Sequence, residues 1–141
     1  MAASSVRPGF STVSPYLVIR DPDAALAFYR RALGAVELSR QVDAQGRIRH
    51  AEMKIGDSTF MLTGESPKFS FMRSVQAMGG SPVQFFVYVD GVDERFRCAL
   101  DAGGKELMSL ADQPYGRGGG FTDPFGIIWW LSTHPTQPGP K

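Results

Sequence analysis

The sequence predicts an α+β domain made of two copies of one β–α–β–β–β unit. Three observations lead there. Strand and helix signals follow the same order in each half of the chain. Matching residues recur at a fixed offset of 70: Asp23 and Asp93, Leu26 and Phe96, Gly34 and Gly104, Gly56 and Gly126. Each pair is weak alone, but four in one register, each at the same structural role, indicate a duplication. The length of 141 residues then fits two such units within one domain.

Tyr16–Arg20 is apolar and partly β-branched, which predicts a short first strand. Asp21-Pro22-Asp23 starts a helix with a capping acid, a proline in the first turn and a second acid at the positive end. Arg30 and Arg31 occupy its last turn and Gly34 ends it. Strands are predicted at Val36–Val42, Arg47–Ile55 and Ser58–Thr63, separated by turns at 43–46 and 56–57. The second unit repeats this. Val83–Val89 is a strand, Asp93–Ala102 a helix stopped by Gly103-Gly104, and Lys105–Leu110 a strand. The glycine-rich Tyr115–Gly120 reads as a turn leading to Phe121-Thr122. A tight turn at Asp123-Pro124-Phe125-Gly126 precedes a last strand at Ile127–Thr133. Module one therefore covers about residues 13–63, a connector 64–82, and module two 83–134. Residues 1–12 read as a loose lead-in and 135–141 as a frayed tail. The connector has two readings: a linker between the units, which is preferred, or a flap over a pocket, for which Phe69, Phe71, Met72 and Met78 would supply the apolar side chains.

Composition narrows the function classes. Fifteen basic and fourteen acidic residues leave a net charge of +1, too weak a field to argue for nucleic acid or a membrane surface. Arg47 and Arg49 form only a local basic pair. The single cysteine, Cys98, rules out an internal disulfide and a four-cysteine zinc site; helical spacing places it on the inner stripe of the second long helix. The longest apolar run, Phe85–Val89, cannot span a bilayer. Met1–Gly9 has no apolar stretch of signal-peptide length, so a cytoplasmic location is the default expectation.

Three segments carry a family resemblance: Ser14–Tyr29 with Leu33-Gly34-Ala35, His50–Leu62, and Asp123–His134. With Val87–Asp93 they resemble the vicinal oxygen chelate superfamily of glyoxalases, extradiol dioxygenases and bleomycin- and fosfomycin-resistance proteins. The Ala-Phe-Tyr, His-Ala-Glu and Asp-Pro-Phe-Gly pieces are most similar to its poorly characterised bacterial branch. The resemblance implies mixed sheets curling around a cleft, and usually a homodimer, sometimes with modules paired across chains. In metal-using members four side chains, two per module, hold a divalent ion. The corresponding positions here are Ser14, Met61, Gln84 and Trp130. A thioether, an indole N–H, an amide and a hydroxyl make a poor set for a hard cation. The expectation is therefore a site without metal or other cofactor.

Strand alternation then suggests which side chains face the cleft. Taking the family's ligand positions as inward-facing gives Tyr16 and Val18; Ile48, His50, Glu52 and Lys54; Thr59, Met61 and Thr63; Gln84, Phe86 and Tyr88; and Ile128 and Trp130. The opposite set, including Leu17, Ile19, Ala51, Met53, Phe60, Leu62, Phe85 and Val87, is almost purely apolar and suits packing against the helices. The candidate ligand-binding residues are thus Tyr16, His50, Glu52, Met61, Gln84, Phe86, Tyr88 and Trp130. A few polar groups among aromatic walls suit a small flat molecule; the alternative is that the same aromatics fill the cleft or seal a dimer interface. His50 and Glu52 read either as a polar pair on a half-exposed sheet or as an acid–base pair in the cleft. Three functional readings follow. The first is a non-enzymatic small-molecule binder, similar to the drug-sequestering resistance proteins. The second is a glyoxalase-like lyase or isomerase using His50 and Glu52 or an atypical metal site. The third is a structural or regulatory homodimer with a packed cleft.

Overall fold

The computed structural model describes residues 5–135. The first strand, β1 (Tyr16–Ile19), leads into α1 (Pro22–Leu33), followed by β2 (Val36–Val42), β3 (Ile48–Ile55) and β4 (Ser58–Gly64). A short helix, α2 (Val75–Met78), lies in the connector. The second module comprises β5 (Phe85–Tyr88), α3 (Val92–Asp101), β6 (Lys105–Gln113), β7 (Gly116–Thr122) and β8 (Ile128–Thr133). Two four-stranded sheets result, ordered β1-β4-β3-β2 and β5-β8-β7-β6. Each is mixed: β1 runs parallel to β4 and β5 to β8, and the remaining pairs are antiparallel. The duplicated β–α–β–β–β architecture is as the sequence predicts. Among the described residues no helix is long and apolar enough to cross a membrane.

Local chemistry sets the elements. The Asp21 carboxylate accepts the Ala24 N–H at 3.1 Å, and Gly34 closes α1 in the left-handed conformation with φ 67°. The connector has local structure of its own. Ser74, itself buried, caps α2 through the Ala77 N–H and donates to Glu65 at 3.0 Å, which closes the 65–74 loop at its base.

Three expectations need correction. In the glycine-rich stretch predicted as a turn, only Tyr115 lies in one; Gly116–Gly120 form the body of β7, an inner strand. Its glycines are there for close approach. A Cβ at Gly120 would lie 2.6 Å from the Trp130 ring, and one at Gly118 2.7 Å from the Leu131 carbonyl oxygen. The Trp130 indole covers bare backbone, and pairing on both edges holds the strand extended. Cys98 does not join the core, since Val92, Phe96 and Ala99 form the buried stripe of α3 and Cys98 is half-buried. Ile48 is buried rather than open, because the β2–β3 register shifts between Gln41 and Val42 and leaves Arg49 as the extra residue.

The core is continuous through both modules. Leu26, Phe28 and Tyr29 of α1 pack with Met53 and Leu62 beneath the first sheet, and Phe96, Phe121 and Leu131 do the same in the second. Contacts between the modules run through these helix-covered faces. Phe60 meets Trp129 with ring centroids 6.2 Å apart, Phe28 meets Phe121 at the same separation, and α1 packs on α3. Asp123 joins them. Its buried carboxylate accepts Tyr29 Oη–H at 2.6 Å and Trp129 Nε1–H, Phe125 N–H and Ile127 N–H at 2.9 Å each. Burial pushes the Asp123 carboxyl up, against the pull of those four donors, and burial beside that acid raises the Tyr29 phenol well above its ordinary value.

Candidate functional site

The sheets flank a cleft. Between β1 and β5 lies a groove of about 360 Å³, lined by Val13, Leu17, Phe60, Phe85 and Trp129 among others; of the predicted site residues only Phe86 and Tyr88 border it. The faces turned away from the helices carry the predicted site residues, and they fall into two groups.

On the first module, β3 presents His50 and Glu52 two residues apart, hence on one side of the strand. Cross-strand pairing sets Ser39 and Met61 on either side of Glu52, and Met61 pairs in turn with Tyr16. The Glu52 side chain is only 4% exposed. Its Oε1 accepts the Ser39 hydroxyl at 2.6 Å; its Oε2 accepts Arg7 Nη1 at 2.6 Å and contacts His50 Nε2 at 3.1 Å. An ionised carboxylate only accepts, so Nε2 carries the proton in this pair. The Ser39 hydrogen bond above all, helped by His50 and Arg7, holds the Glu52 carboxyl below its usual range even though burial opposes this. Tyr16 stands edge-on to His50, with centroids 5.9 Å apart, and is 54% exposed.

The second group lies on the other sheet. Phe86 and Tyr88 meet edge to face at 5.2 Å, Phe86 also meets Tyr115 at 6.0 Å, and Tyr88 meets His134 at 6.3 Å. Phe86, Tyr88 and Tyr115 are all exposed. Trp130 lies beside them, and its Nε1–H donates to Gln84 Oε1 at 2.8 Å. Within the chain the structure gathers Tyr16, His50, Glu52 and Met61 in one place and Gln84, Phe86, Tyr88 and Trp130 in another. Among the described residues no hydrogen bond, ion pair or ring contact links the two groups.

This arrangement tests the metal chemistry of the resemblance. At the second module's two ligand positions the atom suited to a hard cation, Gln84 Oε1, already accepts from Trp130, which has no lone pair to offer. In the first, Ser14 and Met61 supply a hydroxyl and a thioether. Among the described residues no three His, Cys, Asp or Glu side chains gather in a way that could hold a metal ion. The residues present do not fit a divalent centre.

Three participants escaped the sequence reading, among them Tyr115, which read only as the start of a glycine-rich turn and meets Phe86 from the β6–β7 loop. Ser39 is disclosed only by its pairing opposite Glu52, across a strand whose register is irregular. Arg7 lies in the lead-in, outside any periodic element, and reaches Glu52 across 45 positions of sequence.

Comparison with known proteins agrees with this geometry. The family model described as Glyoxalase/Bleomycin resistance protein/Dioxygenase superfamily matches residues 10–131. The chain is 38% identical over 122 residues to the uncharacterized protein Rv0887c of Mycobacterium tuberculosis, covering 84% of this chain and 72% of that protein. Among solved structures it is similar to TioX from Micromonospora sp. ML1, with 29% identity, a TM-score of 0.68, and coverage of 91% of this chain and 99% of that one. It is also similar to the Arabidopsis thaliana At5g48480 gene product, with 26% identity, a TM-score of 0.70, and coverage of 87% and 98%. With its duplicated modules, its cleft and this match over most of its length, the chain belongs to the glyoxalase/bleomycin-resistance/dioxygenase superfamily, and its four usual ligand positions hold no metal-coordinating set.

Proposed function

We propose that this protein binds a small flat or aromatic molecule without a metal, and does so as a homodimer whose sites combine the open face of module one with the open face of module two from a second copy. The observation that carries the reading is the exposed aromatic cluster of Phe86, Tyr88 and Tyr115 beside Trp130. Large aromatic surface in this quantity marks a binding face. The pairing across copies is supported by the modules' internal packing. Their helix-covered faces are used up on each other, so each open face needs a partner from outside the chain to become a closed pocket. Sequestration requires affinity and no catalytic group. The polar pair agrees with that, because Glu52 is held ionised by its donors and is poorly placed to take a proton from a substrate.

The test is a titration of planar polycyclic compounds followed by Trp130 and Trp129 fluorescence, with light scattering on the same sample. Saturable quenching by at least one planar scaffold, on a dimer, is the expected result. A flat response across a diverse planar panel would sink the binding reading, and a monomer at working concentration would sink the shared site.

A further inference from the structure

The basin around Glu52 has an unusual division of labour. Ser39 and His50 are fixed on β2 and β3, whereas the third donor comes from a segment with no regular structure. Besides its bond to Glu52, Arg7 is positioned by a turn in which the Phe10 N–H donates to the Arg7 carbonyl at 3.0 Å, and by its guanidinium lying 4.5 Å from the Phe10 ring centroid. Its side chain is 59% exposed, over a carboxylate that is 4% exposed. The surrounding open basin measures about 470 Å³ and is lined by Arg7, Tyr16, Ser39, Gln41, Arg49, His50 and Glu52.

From this geometry we infer that Glu52 is the recognition group for a positively charged guanidinium, amidinium or ammonium on the ligand, and that Arg7 is a tethered stand-in which the ligand displaces. The inference rests on the binding reading above and adds the ligand's charge to it. A covered carboxylate needs a counter-charge. A neutral ligand entering the basin must leave Arg7 in place, or remove it and strand the anion. A cationic ligand replaces one charge-assisted hydrogen bond with another and can lay its ring against the exposed side of Tyr16. Phe10 gives the displaced guanidinium a resting place. The tether acts as a competitor of modest strength, since one half-exposed ion pair favours the closed form only several-fold.

The test compares 4-phenylbenzamidine with its neutral isostere 4-phenylbenzamide by calorimetry on the full chain. The amidine is expected to bind about tenfold more tightly. Arg7→Ala, which removes the competitor, should tighten the amidine about fivefold more and leave the amide unchanged. Glu52→Gln should erase the preference. Equal affinity of the two compounds overturns this inference while leaving the aromatic-binding reading standing. Amidine binding that is unchanged or weaker in Arg7→Ala also overturns it, and this arm holds if Glu52→Gln fails to fold. Binding of neither compound at millimolar concentration overturns both readings.

Discussion

The two modules share one scaffold but present opposite chemistry on their open faces. Module one offers a charged basin in which Glu52, Ser39, His50 and Arg7 satisfy one another. Module two offers uncovered rings, with Trp130 spread over a glycine strand and Phe86 and Tyr88 exposed beside it. The helix-covered faces show no such contrast, since both are apolar and interlock through one core. After duplication, the helix side of each sheet is constrained by packing density. The open side carries only the constraint of whatever it binds, so it is free to differ.

The largest expected effect tests the claim that the shared core underlies both faces. Asp123→Ala strands the Tyr29 hydroxyl, the Trp129 indole N–H and two backbone N–H groups in the interior. It should cost about 3–5 kcal/mol and loosen both modules together, as read by urea unfolding with probes in each. Gly120→Val separates the faces. The new side chain collides with the Trp130 ring, and a loss of about 2 kcal/mol is expected. The Trp130 emission should shift, while NMR signals of Glu52 and His50 stay in place. Movement of module-one signals would mean that the faces are coupled. Tyr88→Ala removes one ring from the aromatic face and should weaken a planar ligand by about 1 kcal/mol, measured by titration, with no change in thermal stability.

The smallest effect is a pH dependence confined to module one. The Glu52 carboxyl is more acidic folded than unfolded. Its stabilising contribution is therefore fully present above the ordinary carboxylate range, near about pH 4.3, and is lost as the pH falls through the lower folded-state value. With Arg7 more than half exposed, the size should be about 1 kcal/mol or less. Melting curves between pH 3 and 7 should show an acid-side loss that is smaller in Glu52→Gln; identical profiles would mean that the clasp contributes nothing.

The sequence was informative where one local rule decided the outcome. Asp21, Pro22 and Gly34 punctuate α1, and alternation separated Ala51, Met53, Phe60 and Leu62 from Glu52 and Met61. Local rules misled at β7, where glycines normally signal a turn but pairing with β6 and β8 and the overlying Trp130 impose an extended strand. Asp123 was legible as a turn acid, yet its partner Tyr29 stands 94 positions away, beyond any periodicity. For the site, the residue types on each strand were readable. Their separation into two groups was not, because it follows from how the modules pack.

The Tyr29–Asp123 hydrogen bond has a consequence for how the molecule is made and lost. Each half of the duplication withholds something the other must supply: the hydroxyl comes from the first repeat and the carboxylate from the second. A nascent chain that has emerged only as far as the connector has Tyr29 without its carboxylate acceptor and Phe60 without Trp129. The repeats have thereby lost their independence. The chain should unfold in a single cooperative step, and cutting it at the midpoint would yield two fragments that acquire structure only together.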